Sequence, residues 1–559
     1  MKKLLVSFVL SIVVLVSKAD NFTVDGIYYY TIDDERVGVK VDYEYDSSTQ
    51  TFIYHYYTGN LTIPSSVTYN KKTYKVTRVD LYGCSELTSV SLPSTLEEIA
   101  EAGFSDCSQL TQITLPESLK KIGGFAFQSC SNIKQITIPA SVREIGQNAF
   151  NSSGIEKLVI KDLAAWCSVK KPGSFISSEN TKVFLNEEEI KNLVIPDGVT
   201  IIEPNTFNGF KSIDTVYIPQ SVDSIGDNAF LGCTGINTVT AHDIVSWCGI
   251  RFGRTEMLQT GAFLNLSNPV SISQNLYIGK EKLTELIIPE GVKKIGNGAF
   301  YRCLGITKVS LPSTLKKVGA NAFAECTDIM IADVTSLQDY CSIDFASPGS
   351  NPFQDYMMNR GFTWMIVNGE YIRDQGALNI PEGLTEIKPN TFAKVDNNGT
   401  VIIPASVSKI GTRAFYTSVR NLNKVYIKGH IADMGEYAFG NCPYIGSLYV
   451  NDVNPDSIPA NAFYNYYHPI NNVTLGEDYN YRNTKLMVPV GAKATYESTP
   501  GWKLFQNIEE TDLTEVTGIK KDASGIKESY TLDGRQATPS AGVIIIERLS
   551  DGSTRKVLR

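Results

Sequence analysis

The chain has 559 residues, with 51 Lys+Arg against 59 Asp+Glu, a net charge of −8 and 42% hydrophobic residues. That length exceeds one compact core and fits either several domains or one extended repeat array. The acidic balance argues against non-specific nucleic-acid binding, which needs clustered positive charge, and 4 His leave little from which to build a histidine metal or catalytic centre.

Lys2 and Lys3 precede an apolar run over residues 4–16, and Ser17-Lys18-Ala19 places small residues where a signal peptidase reads them. Residues 1–19 therefore read as a secretory signal peptide. The run falls short of the ~20 residues that a membrane span needs, and no later segment is apolar enough to make one. The chain is expected to be exported, to the cell surface or the extracellular space. Residues 20–60 are Tyr-rich and alternate in polarity, as in Ile27-Tyr28-Tyr29-Tyr30, which predicts an N-terminal β cap.

One pattern recurs over residues 61–485. Pro116 and Pro139 stand 23 residues apart, as do Pro196 and Pro219, Pro289 and Pro312, and Pro381 and Pro404. In step with them runs Ile122-Gly123-x-x-Ala126-Phe127, repeated at Ile145, Ile225, Ile295 and Ile410. The consensus is L-T-x-V-x-I-P-x-S-V-x-x-I-G-x-x-A-F-x-x-C. The stretch L-x-x-V-x-I is a short half-buried strand, and Pro ends it because it cannot donate to a ladder. Gly after the second Ile is assigned to a tight turn. One coil cannot bury its own apolar face, so coils should stack into a solenoid with a parallel ladder, about fifteen of them at ~4.8 Å spacing. A longer unit interleaves islands that begin Asp162-Leu163-x-x-Trp166-Cys167, Asp243-Ile244-x-x-Trp247-Cys248 and Ser336-Leu337-x-x-Tyr340-Cys341. Each island predicts one helical turn with its aromatic packed inward, followed by an irregular loop that bulges outward. Residues 486–510, with Tyr496, Trp502 and Phe505, predict a closing cap helix. Residues 511–559 predict a linker and a small β tail.

The string I-P-x-S-V-x-x-I-G-x-x-A-F-x-x-C, as at residues 138–153 and 218–233, resembles the leucine-rich repeats of the BspA-like bacterial surface antigens, and the W-C island resembles the one that family interleaves. The resemblance covers about residues 60–510. The first coil, Val79-Asp80-Leu81-Tyr82-Gly83-Cys84, is three residues short, and residues 328–376 keep little of the consensus. The implied fold is a leucine-rich repeat solenoid, mostly β with some α, with 23-residue coils and capped ends. The implied function is adhesion to host matrix proteins, host cells or other bacteria. The tail, with Ser529-Tyr530-Thr531-Leu532-Asp533-Gly534-Arg535 and Gly542-Val543-Ile544-Ile545-Ile546, resembles C-terminal β modules of exported proteins from Gram-negative anaerobes. Some of those serve as type IX sorting signals; a plain three-stranded appendage is the alternative.

Ten cysteines in an exported chain invite a disulfide framework, yet Cys84, Cys107 and Cys130 repeat every 23 residues, and Ser153, Phe210, Val395, Ser418 or Tyr466 fills the same position elsewhere. A ligand or nucleophile could not be exchanged for Phe, so the position reads as buried packing with free thiols. No H-E-x-x-H, G-x-S-x-G or P-loop occurs. Asn451-Asp452-x-Asn454-Pro455-Asp456 faintly resembles a cation loop but lacks the Gly and distal Glu of an EF-hand. No catalytic residue, metal or cofactor is expected. The outward residue before the I-P pair is usually Ser or Thr, but the equivalent position holds Tyr217, Tyr426 or Tyr449 in three coils. These are candidate contacts for a partner, against the alternative of cross-strand packing. The expected partners are extracellular proteins or glycans and not nucleic acid, met by a monomer. A glycan-binding accessory protein of a surface polysaccharide system is the second reading, and a structural spacer a third.

Overall fold

The structure, a computed structural model, describes residues 21–175, 181–253, 256–257, 263–264, 267–353, 363–395, 399–417, 422–442, 445–465 and 476–513, with strands at 526–531, 544–549 and 554–558. The predicted signal peptide lies outside the described residues. The chain is a β-solenoid of about 17 turns with parallel ladders and few helices. It divides into two units. One comprises Met1–Gln375, Lys388–Asp396 and Thr412–Ser418; the other comprises Gly376–Ile387, Asn397–Gly411 and Val419–Arg559.

In the first unit a regular coil contributes two strands. Gln135–Ile138 and Thr215–Ile218 are the predicted strands, each ended by Pro. A two-residue strand follows, Glu144–Ile145 or Ser224–Ile225, and it builds a second parallel ladder with register Lys121↔Glu144 and Ile122↔Ile145. Between the ladders the interior is filled by stacked rings: Phe104, Phe127 and Phe150 follow one another at 5.4 Å between centroids. The Phe127 N–H donates to the Ala149 carbonyl of the next coil (2.7 Å), and Phe104 does the same to Ala126 (2.7 Å).

The consensus glycine does a different job from the one expected. Gly123, Gly146 and Gly226 lack a positive φ, whereas a Cβ at these positions would strike the backbone of the preceding coil, at Ala100, Gly124 and Pro204 respectively. Glycine is there so that coils can approach. The left-handed residues lie further on, at Asn148 (φ 56), Asn205 (φ 59) and Asn228 (φ 57), just before the small residue of the Ala-Phe pair. Asn tolerates that region best among residues with a side chain.

The islands are turns of the solenoid, and the turns, about 17, outnumber the coils counted in the sequence, about fifteen. Helices Leu163–Cys167, Ile244–Gly249 and Leu337–Cys341 bury Trp166, Trp247 and Tyr340, and each is capped by a side chain, Asp162, Asp243 or Ser336. After each helix the chain rejoins the short ladder, as Arg251–Phe252 and Asp344–Phe345 show. It then adds a strand to the long ladder, at Lys182–Leu185, Leu276–Ile278 or Trp364–Val367, and folds back in an antiparallel hairpin. In the first hairpin Asn186 and Glu187 make the turn and Glu188–Glu189 is the returning strand. Most of the predicted outward loop after Gly253 lies outside the described residues; Glu256–Met257 pairs there with Phe263–Leu264.

At the N-terminus, Asn21–Val24, Ile27–Thr31 and Arg36–Lys40 continue the short ladder through Lys72–Asp80. In the second unit, one six-stranded sheet runs from Leu378–Asn379 to Asn507–Thr511. The segment expected to be a helix begins as the strand Lys485–Pro489. The helix Lys493–Ser498 follows, and then the last ladder strand. The tail strands Ile526–Thr531, Ile544–Leu549 and Thr554–Leu558 form a three-stranded antiparallel sheet.

Candidate functional site

The outward row of the second unit's sheet reads Ile402, Tyr426, Tyr449, Met487, Glu509 across successive strands. Val425 and Leu448 point inward and are fully buried, so the pleat turns Tyr426 and Tyr449 outward. Their rings stack at 4.6 Å between centroids with a 17° interplanar angle. Both are half-buried, and burial lifts the Tyr426 hydroxyl above the usual tyrosine range. The neighbouring outward row supplies Lys424, Ser447 and Lys485, and Lys485 pairs with Glu509 at 3.4 Å. A pair of stiff rings flanked by ammonium groups can grip an apolar side chain and hydrogen-bond around it.

Tyr217 belongs to the first unit. Its row neighbours are Val194 and Thr240, and its hydroxyl lies 3.1 Å from His242 Nδ1. The structure thus brings together two of the three candidate tyrosines, and gives the third a polar partner in the same unit.

The remaining constellations are occupied structurally. All ten cysteines are buried and no disulfide joins them. Several donate S–H to the phenylalanine carbonyl of the preceding coil: Cys130 to Phe104 (3.0 Å), Cys233 to Phe207 (2.9 Å) and Cys326 to Phe300 (2.8 Å). Burial pushes the Cys130 and Cys233 thiols up to about 12, away from reactivity. The acidic loop holds a histidine: His430 Nδ1 lies 2.7 Å from Asp452 and Nε2 3.1 Å from Asp456, and Asp452 also accepts the Asn454 N–H (2.9 Å). Among the described residues no group of three or more His, Cys, Asp and Glu could hold a metal ion, and no helix is long and apolar enough to cross a membrane.

One buried charge went unread in the sequence. Lys171 is 2% exposed, with Nζ donating to the Trp166 (3.1 Å) and Val169 (2.9 Å) carbonyls and lying 4.3 Å over the Trp166 ring. Burial pulls its ammonium down to about 7, against weaker opposing pulls from Cys167 and Glu203. Aligning the islands on their aromatic-Cys pairs shows the signal: Lys171 falls where Phe252 and Phe345 pack on Trp247 and Tyr340, at 5.3 and 5.4 Å.

The architecture is that of a leucine-rich repeat solenoid. The sequence matches the BspA type leucine rich repeat region in six copies, over residues 50–167, 176–251, 265–346 and 373–486, and the chain belongs to that family. No curated protein sequence matches it. Among solved structures it is similar to a leucine-rich repeat protein from Bacteroides ovatus, at 20% identity over 71% of this chain and 94% of that one, TM-score 0.34. It is also similar to a leucine rich cell surface protein from Faecalibacterium prausnitzii, at 22% identity over 74% and 94%, TM-score 0.33. The pneumococcal vaccine antigen PcpA is similar at 14% identity over 88% and 99%, TM-score 0.30.

Proposed function

We propose that this chain is an exported, surface-held repeat protein that attaches to extracellular proteins of a host or of other bacteria and performs no covalent chemistry. The observation that carries the reading is the stacked Tyr426–Tyr449 pair, half-exposed on the outward ladder row beside the row that holds Lys424 and Lys485. Stiff aromatic side chains lose little conformational entropy on contact, and they dominate binding energy at recognition surfaces. The signal-peptide-like N-terminus supports an exported chain, and many preformed coils allow several weak contacts at once.

The test is binding of the purified chain to immobilised matrix proteins and mucins, with a glycan array beside it. Saturable binding to a protein is expected, weakened about tenfold or more in a Tyr426→Ser/Tyr449→Ser double variant. Binding to glycans alone moves the protein to the accessory class. Protein binding untouched by the variant removes the tyrosine face from the reading.

A further inference from the structure

The first unit carries a second surface, formed by strands Asp42–Asp46 and Thr51–His55. They pair antiparallel with register Tyr43↔Tyr54 and Tyr45↔Phe52, and among the described residues neither pairs with any other strand. Each therefore keeps an outer edge of backbone N–H and C=O groups open to a further strand. The ribbon is exposed on both faces. Tyr43 (46%), Tyr45 (56%), Phe52 (54%) and Tyr54 (45%) share one face, and Tyr56 (43%) and Tyr82 (48%) extend it; these six are all of the exposed aromatic side chains among the described residues. A soluble domain does not gather all its exposed rings on a free ribbon for the sake of packing.

Three observations select the occupant. The four rings of the strand pair do not form a flat platform: Tyr43 meets Phe52 at 81° and Tyr54 at 47°, and Tyr45 meets Phe52 at 57°, while Tyr56 lies near-parallel to Tyr54 at 19°. Stacked sugar rings need coplanar aromatics, whereas tilted ones make clefts for side chains. One of these rings already meets an ammonium, for Lys40 Nζ lies 5.4 Å from the Tyr43 centroid, with Tyr28 and Tyr30 of strand Ile27–Thr31 at 5.4 and 5.5 Å. The pleat puts Asp42, Glu44 and Asp46 on the opposite face, where the partner strand sets His55, Ile53 and Thr51 across from them, with no Lys or Arg among these residues.

We infer that this ribbon captures an extended, basic segment of a partner protein by strand addition. The incoming strand hydrogen-bonds to an open edge, and its alternate side chains set Lys or Arg against the carboxylates on one face and apolar or cationic groups among the rings on the other.

The experiment is a fluorescence-anisotropy titration of the full chain with labelled ten-residue peptides alternating Arg and Val. Controls are the Glu-Val counterpart and an Arg-Val peptide N-methylated along one edge. Saturable binding of the Arg-Val peptide is expected, with about tenfold or greater weakening on Arg-to-Glu exchange, on N-methylation, and in a Tyr45→Ser/Phe52→Ser variant. These side chains are exposed, so the variant should keep the parent's melting temperature, and that is measured beside it. A separate Asp42→Asn/Glu44→Gln variant should lose the charge preference. Equal affinity for the acidic or the N-methylated peptide overturns the inference. So does failure of every peptide, or ring-dependent binding of neutral oligosaccharides in their place, or ring-dependent self-association of the chain in sedimentation.

Discussion

Lys171 shows how a single residue can work against its surroundings. Its sister positions hold Phe252 and Phe345, so the pocket is built for a ring, and the lysine survives by donating to two carbonyls and lying on Trp166. Its ammonium is pulled from 10.5 to about 7 by burial, opposed by Cys167 and Glu203. The sign of the pH dependence follows. Between the native and unfolded values the unfolded chain holds the proton and the native chain does not, so stability rises as pH climbs from about 7, and below about 7 both states are charged and the slope vanishes. Buried thiols act in the opposite direction: a native value near 12 means that unfolding releases their protons once pH passes the ordinary value of 9. The clean window is therefore about pH 7 to 8.5. Each tenfold change in proton affinity is worth about 1.4 kcal/mol. Lys171→Met, which keeps the length and drops the charge, is expected to stabilise the chain by about 1–3 kcal/mol at pH 7 and to flatten the rise toward pH 8.5. Urea denaturation of both proteins at pH 6, 7 and 8.5 checks it; parallel curves with no gain for the variant would show that the carbonyls and the indole ring fully compensate the charge.

At the scale of the element, the islands splice into the coil ladder through a side chain. In regular coils the carbonyl of the small residue before Phe accepts a backbone N–H from the coil before, as Ala149 accepts from Phe127. After an island no backbone N–H among the described residues reaches that carbonyl, and side-chain donors take its place: Trp166 Nε1 to Thr206 (3.0 Å), Trp247 Nε1 (2.9 Å) together with Asn268 Nδ2 (3.0 Å) to Ala299, and Tyr340 Oη to Thr391 (2.6 Å). That is why a tyrosine can stand where the other islands have tryptophan. Tyr340→Phe leaves the Thr391 carbonyl buried without this donor and is expected to cost about 1–3 kcal/mol, while Tyr340→Trp should cost less. Denaturant midpoints with unchanged m-values decide between them. The 23-residue period, the Pro breaks and the inward aromatics were readable in the sequence because each is a local signal repeated many times. The two-residue strands such as Glu144–Ile145 were not, since two residues show no alternation, and the bond from Trp166 to Thr206 joins groups 40 residues apart. Lys171 was masked by Lys170, beside which it looks like surface charge. Of the candidate tyrosines, the spacing of Tyr426 and Tyr449 was enough to foresee that they are neighbours; the His242 partner of Tyr217 depends on a bend after Ala241 that the pattern does not encode.

Across the whole molecule, stability is a chain of neighbour-to-neighbour terms, and the cysteines report it coil by coil. Regular coils rest their Phe rings on the next, and several that carry the cysteine add a thiol hydrogen bond, as Phe104, Phe127 and Cys130 do. Contacts of this kind couple adjacent turns strongly and distant turns hardly at all, so unfolding can begin in one region while others hold. Cys84, Cys107, Cys130, Cys233, Cys303 and Cys326 sample the first unit from the N-terminal cap inward, and all are buried. In the native chain none of the ten thiols should react with a small alkylating reagent over hours, because all ten are buried and burial blocks access. Under increasing urea, mass spectrometry of the alkylated peptides is expected to give distinct midpoints for different cysteines, spread by region and close together for Cys107 and Cys130, which lie in neighbouring coils. A common midpoint for all ten would mean that the solenoid unfolds as one cooperative body, with coupling reaching much further than the stacked rings and ladder bonds carry it.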